Sequence, residues 1–409
     1  MSGIAPARRT SLLGIGDQGL IAITNLALVI FAAQGGTHSI AAFALVTAVY
    51  FGLLSLGRAL LAEPLLALPS AERGGPYLRL ALVVAVLSGG LAALATAVFL
   101  PFAAEYWAIG MATSALLIAE FSRIRAYAFE KPAAALAAGV SSLLIVLGAG
   151  LLDQNYDSER WQRLLVYWAL AGLVSTSITL ALAGSGRERL GSNKGWYRTK
   201  IWSNARSLVV DATGTVLIAH ASLYIISYFG AASDVASIRA LSTILSPLSL
   251  VFTGLTLSLT PLLSRTRTQQ SDGALRVFWI AIVGVTVVGG TVALSVGQMI
   301  ITAVFGIEAT PNKLTLVIAV LSAVIFALGS PMLAQVRVSG RYATIGWVRL
   351  ASSGVLLVGL VALATGKNLP AVFFVLQALQ AIIIATTAIL LTREANRSRL
   401  RSAEAEAAK

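Results

Sequence analysis

Residues Asp17–Pro64 read DQGLIAITNLALVIFAAQGGTHSIAAFALVTAVYFGLLSLGRALLAEP. Two long apolar runs flank a short Gln34-Gly35-Gly36-Thr37-His38 turn, and Asp17, Arg58 and Glu63 sit in or against the apolar parts. A lone charge at the centre of a bilayer costs about 3 kcal/mol or more, so such residues are kept for a partner or a ligand. A weaker copy of the pattern returns at Asp211–Pro261. The pair of segments predicts a membrane protein built in two related halves.

The composition agrees. The chain has 409 residues, of which 57% are hydrophobic and 11% charged, with a mean hydropathy of +0.84. Soluble domains carry about 25% charged residues, and a helix needs about 20 apolar residues to cross a bilayer. The runs predict about twelve spans, at roughly 12–33, 39–66, 79–101, 107–124, 133–152, 163–183, 207–229, 235–261, 276–300, 313–335, 343–365 and 369–391. Span 4 is the least apolar, because Glu120, Arg123 and Arg125 crowd its end. The absence of cysteine excludes disulfides, thiolate metal sites and Cys nucleophiles. Arg8 and Arg9 precede an apolar run in the manner of a signal peptide. Asp17 and Asn25 within that run, and the lack of a small-residue cleavage site, make it a retained first helix.

The net charge of +13 sits in short loops between apolar runs, a pattern of topology and anionic lipid headgroups and not of nucleic-acid binding. With the N-terminus inside, 24 of the 30 Lys and Arg fall in inside segments. Only Arg160, Arg163, Lys313 and Lys367 fall outside, while Arg58 and Arg239 lie within spans. The asymmetry predicts a cytoplasmic-membrane protein with both termini cytoplasmic. Gly184–Arg206, the longest inside connection, carries Trp196, Tyr197 and Trp202, read as interfacial aromatics, and joins two six-helix lobes, 1–190 and 191–409. The outside loops are all short and house no catalytic domain, so an enzyme is not expected. An integral-membrane glycosyl polymerase or ligase, the enzymatic alternative, would need one.

The halves match in register. Asp17 answers Asp211, Gly35-Gly36 answers Gly230, Pro64 answers Pro261, and Arg79 answers Arg276. An odd-numbered span matching an odd-numbered span preserves orientation, which predicts parallel repeats with a site between them.

The candidate site residues follow from their polarity in hydrocarbon. Asp17 and Arg58 lie at similar depth. They either pair with each other, or Arg58 is a cationic contact for an anionic headgroup, to which a planar guanidinium donates two hydrogen bonds. Arg239, near the outer end of span 8, either snorkels to the interface or offers the anion a second stop. Asp211 has no evident partner; it either titrates during transport or caps its helix near Arg206. His220 joins a proton or ligand path, or is hydrogen-bonded between helices. Gln18 and Asn25 hydrogen-bond a sugar or glue helices, and Glu63 joins the ion-pair group. Gly14-Ile-Gly16-Asp17-Gln18-Gly19 fits G-x-G-x-x-G but follows no strand, and there is no Walker A sequence. No metal or cofactor is expected.

Asp17-Gln18-Gly19, Asn25, the Gly-Gly turn, Arg58-Ala59-Leu60 and Glu63-Pro64-Leu65-Leu66 resemble the opening of Wzx-like polysaccharide flippases. These belong to the multidrug/oligosaccharidyl-lipid/polysaccharide (MOP) exporter superfamily, with the multidrug-and-toxin extruders (MATE) and the lipid II flippases. Arg239-Ala240-Leu241, Pro247-Leu248 and Pro261 resemble the second-half pattern, with Ser246 where glycine is common. The resemblance implies an all-α membrane fold of two six-helix bundles in a V, alternating access, and a cationic cavity for a lipid-linked oligosaccharide diphosphate. Lipid II flippases usually carry two more helices. Many sugar flippases have more basic residues in the N-lobe cavity than this chain. Membrane lipids, the lipid-linked oligosaccharide and other cell-envelope glycan assembly proteins are the implied partners, and an ion-coupled multidrug extruder is the alternative.

Overall fold

The computed structural model describes residues 4–68, 76–99, 106–129, 131–153, 155–183, 195–246, 270–338, 342–366 and 368–407. Among them the chain forms twelve helices and no strand. The first is α1 (Ile4–Ala33). Next, α2 runs Gly36–Gly57, passes through a π-helical turn at Arg58–Ala62 and ends as Glu63–Ala67. Then come α3 (Tyr77–Phe99), α4 (Tyr106–Ala128), α5 (Pro132–Leu152) and α6 (Arg160–Ala183). A second π turn, Tyr197–Ile201, leads into α7, which comprises Trp202–Val216, a π turn at Leu217–Ala221 and Ser222–Phe229. The set closes with α8 (232–246), α9 (Gln270–Phe305), α10 (Lys313–Val338), α11 (Tyr342–Leu363) and α12 (Leu369–Ala407).

Among the described residues ten helical stretches are long and apolar enough to cross a membrane, which makes this a multi-pass membrane protein. The expected spans coincide with these helices to within a few residues, apart from longer α1, α9 and α12. Two expected spans fall outside the ten. Helix α4 is long enough but carries Glu120, Arg123 and Arg125, all buried. The second part of span 8 and the linker residues 184–194, which contain the 190/191 lobe boundary, lie outside the described residues. "Inner" below denotes the end of the bundle at which α1 begins.

The packing repeats. Helix α1 packs on α5, α3 on α4, α4 on α6 and α5 on α6; six helices later α7 packs on α11, α9 on α10, α10 on α12 and α11 on α12. The first six helices meet the last six mainly along α2 and α7. Gly52 lies at this crossing, where an added Cβ would stand 3.1 Å from Val216 and 3.8 Å from His220. Tyr224 on α7 donates to the Leu45 carbonyl of α2 at 2.6 Å. Nearer the outer face, Thr37 donates to Glu308 at 2.8 Å.

Two of the arginines expected outside are held locally. Arg160 is fully buried and donates to the Gly150 and Asn155 carbonyls, with its guanidinium 4.5 Å from the Tyr156 ring. Arg163 binds Asp153 at 2.9 Å and Asp157 at 3.1 Å. Two of the four exceptions to the basic-inside pattern are therefore parts of the α5–α6 turn.

The α7–α11 crossing depends on missing side chains. A Cβ on Gly214 would stand 2.8 Å from the Leu350 nitrogen and 2.9 Å from the Arg349 carbonyl carbon, both backbone atoms that no rotamer change moves. Gly214→Ala is expected to destabilise the detergent-solubilised protein by about 1–3 kcal/mol through overpacking. Gly354→Ala, on the same α11 with nothing within 4 Å of the added Cβ, gains up to about 1 kcal/mol of helix propensity. Thermal unfolding midpoints check this; equal midpoints for the two variants would contradict the crossing.

Candidate functional site

Glu120, Arg123 and Tyr127 recur at i, i+3 and i+7 on α4, a spacing that puts them on one helical face. That face meets α1 and α2 near the inner end. Arg123 Nη2 lies 2.5 Å from Asp17 Oδ2 and its Nη1 lies 2.8 Å from Glu120 Oε2. The other Glu120 oxygen accepts from Arg58 Nε at 2.9 Å and from its Nη2. Tyr127 donates its hydroxyl to Asp17. The result is an alternating ladder, Asp17–Arg123–Glu120–Arg58, with two negative and two positive charges. Asp17 is fully buried, whereas the Arg58 side chain is 36% exposed. The expected direct pair between Asp17 and Arg58 is thus replaced: α4 supplies the opposite charge for each. Burying four charges is tolerable only where every charge faces its opposite at contact distance.

Local backbone supports the ladder. Gly139 on α5 lets Asp17 approach, since an added Cβ would stand 2.9 Å from Asp17 Oδ1. Arg58 opens the π turn of α2, and single π turns inside helices gather at functional positions. Glu63, five residues on, is exposed, and among the described residues it makes no ion pair. Gln18 and Asn25 are half-buried on α1.

A second cluster occupies the corresponding end of α7. Asp211 lies 2.7 Å from Arg349 Nη1 and accepts from the Tyr342 hydroxyl at 2.6 Å, both on α11. Arg349 also donates to Thr215 at 3.2 Å. Asp211 therefore has a partner that its own hairpin lacks, and neither stands alone nor depends on Arg206. The signal in the sequence is Arg349 itself, a charge that lies inside expected span 11 and on α11.

The third group lies where α2 meets the second half. The Arg239 guanidinium stands 6.0 Å from the Phe51 ring centroid, a cation–π distance. His220, in the π turn of α7, stacks on the same ring at 6.4 Å with 20° between planes. Arg239 thus turns inward across the α2–α7 junction instead of snorkelling outward. Its Nε is buried without a hydrogen-bond partner, and among the described residues no carboxylate pairs with it. Behind Phe51 an aromatic wall continues through Tyr50 and Trp168, whose rings meet edge-on at 4.9 Å. Phe51, Tyr50, Trp168, Glu120, Arg123 and Tyr127 were not singled out as site residues from the sequence. The cluster of charges at the end of span 4 was the available signal for Glu120 and Arg123, whereas aromatics in or beside apolar runs give none.

Arg123→Gln is expected to cost about 3–5 kcal/mol, because it strands Asp17 and half of Glu120 without a counter-charge. Adding Asp17→Asn removes the stranded acid, so the double variant loses less than the two single losses together, with a coupling of about 0.5–3 kcal/mol. A denaturation cycle on the purified protein checks this, and additive losses would contradict the ladder.

No protein-family model and no curated protein matches the chain. Solved structures do. The structure is similar to a mutant of the Vibrio cholerae MATE transporter VcmN, with a TM-score of 0.65 and 15% identity over 96% of this chain and 97% of that one. It is similar to a MOP superfamily transporter from Pyrococcus furiosus (0.63, 12%, covering 95% of each) and to the eukaryotic MATE transporter AtDTX14 (0.61, 15%, covering 97% of this chain and 99% of that one). The likeness spans the whole length of both partners. The chain therefore has the fold of the MATE and MOP superfamily transporters.

Proposed function

We propose that the chain is an alternating-access transporter that carries an anionic lipid-linked oligosaccharide across the cytoplasmic membrane, with both termini cytoplasmic. Its two six-helix lobes, 1–190 and 191–409, rock about the α2–α7 contact. The observation that carries this reading is Arg239: a cation aimed across the junction, with no carboxylate beside it among the described residues. Asp17, Glu120 and Asp211 are each bound to arginine, so the charge left over at the junction is positive. A guanidinium suits a diphosphate because its fork donates two bonds at once. Arg58, exposed by a third and nearer the inner end, is the second cationic stop. Gln18 and Asn25 on α1 are the candidates for hydrogen bonds to sugar. The same fold serves MATE transporters and a MOP transporter whose binding pocket is described as having reverse polarity. A change of pocket charge fits that range.

One observation favours a second reading, an ion-coupled multidrug extruder. Asp17 is buried with Oδ1 lacking a hydrogen-bond partner, as a carboxylate that takes up an ion would be; Asp211 and His220 would be its companions in the other half. That reading assigns Arg239 no part in recognition.

Deletion of the gene is expected to deplete surface glycan and to accumulate its lipid-linked precursor. Complementation with Arg239→Ala restores transport about ten- to a hundredfold less well than wild type, the worth of a hydrogen bond to a charged group, at equal membrane abundance. Unchanged glycan on deletion, or full activity of Arg239→Ala, would count against the flippase.

A further inference from the structure

The segment Trp196–Arg206 enters the bundle at its inner face and is held firmly there. Trp196 and Ile201 are buried in the core, and the Tyr197 hydroxyl reaches the Leu60 carbonyl at 3.5 Å. Leu60 belongs to the π turn that begins with Arg58, so this segment is fastened to the inner end of the α2–α7 junction. The aromatics were expected at the headgroups as a group. Trp196 instead packs inward, and Trp202 alone of the two tryptophans is well exposed, at 44%.

The outward side of the same segment has the opposite character. Arg198, Lys200 and Arg206 are exposed around Trp202, whose ring lies 6.4 Å from that of Tyr197. Among the described residues no carboxylate pairs with Arg198 or Arg206. The apolar stretch of α7 begins at Ala205, which sets Trp202 and its basic neighbours at the boundary between hydrocarbon and headgroups. An indole prefers that depth, and cations there are drawn to lipid phosphates.

We propose that Trp196–Arg206 is a docking site for an anionic phospholipid of the adjoining leaflet, its phosphate against Arg198 and Arg206 and its upper acyl chain against Trp202, beside the inner mouth of the α2–α7 junction. Charge complementarity selects the occupant. The buried Trp196 and Ile201 and the Tyr197 anchor fix the backbone, so the cations are presented without the ordering cost that a free basic tail incurs. The proposal rests on the membrane-spanning arrangement and not on the cargo, so it stands or falls separately from the transport reading.

The test uses the full chain in phosphatidylcholine bilayers containing spin-labelled phosphatidylglycerol or spin-labelled phosphatidylcholine, with the motionally restricted fraction read by electron paramagnetic resonance. The wild type retains the labelled phosphatidylglycerol several-fold better, and the preference weakens as salt is raised. The Arg198→Gln/Arg206→Gln variant loses the preference. Arg393→Gln/Arg397→Gln, which removes two exposed arginines from the inner extension of α12, keeps it. Circular dichroism confirms equal helicity, and Trp202→Ala lowers retention of the labelled phosphatidylglycerol while leaving both arginines in place. No preference in the wild type, an unchanged preference in the first double variant, or an equal loss in both would overturn the proposal.

Discussion

Everything at the inner end of the first six helices depends on one constraint: a charge in the bundle must touch its opposite. Asp17, Arg123, Glu120 and Arg58 meet this by alternation, each interior member of the ladder touching two neighbours. The ladder ties α1, α4 and α2 together. It also accounts for Glu120 and Arg123 of α4 among membrane helices, while the third charge there, Arg125, lies 5.0 Å from the Phe129 ring centroid. Removing one interior member strands the outer charge beside it and leaves the other interior member with half its partners, so a loss at one rung is felt by the next.

The second half solves the same problem with different helices. Asp211 stands where Asp17 stands in the repeat, but its arginine and tyrosine come from α11 instead of the helix matching α4. Glycines permit both arrangements: Gly139 on α5 makes room for Asp17, and Gly346 on α11 for the backbone and Cβ of Asp211. Close crossing through glycine is a general device where helices meet in a membrane. With Asp17, Glu120 and Asp211 committed to arginines, Arg239 has no carboxylate beside it among the described residues where α2 meets α7, and the polarity of the proposed pocket follows from that remainder.

Much of this was legible in the sequence. Hydropathy located the helices because a bilayer forces each crossing to satisfy its backbone internally. Asp17, Asp211 and the glycine turns pointed to the repeat in the packing. The pairing was not legible. Asp17 and Arg58 share a depth, which suggested a direct bond, but depth says nothing about rotation around each helix axis, and the partner came from a helix over a hundred residues away. Arg349 was hidden for another reason: a basic residue seven positions into α11 looks like a loop charge until α7 is seen beside it. Arg239 required the third dimension altogether, because snorkelling outward and turning inward begin from the same sequence position.

The central claim is that the junction between α2 and α7 receives an anion. Purified protein in liposomes, offered in turn a fluorescent polyprenyl diphosphate oligosaccharide and a cationic dye, measures this directly. Protein-dependent movement of the diphosphate between leaflets, lost in Arg239→Ala and with no transport of the dye, is the result expected. Transport of the dye by wild type and by Arg239→Ala alike, with the diphosphate left in place, would contradict it.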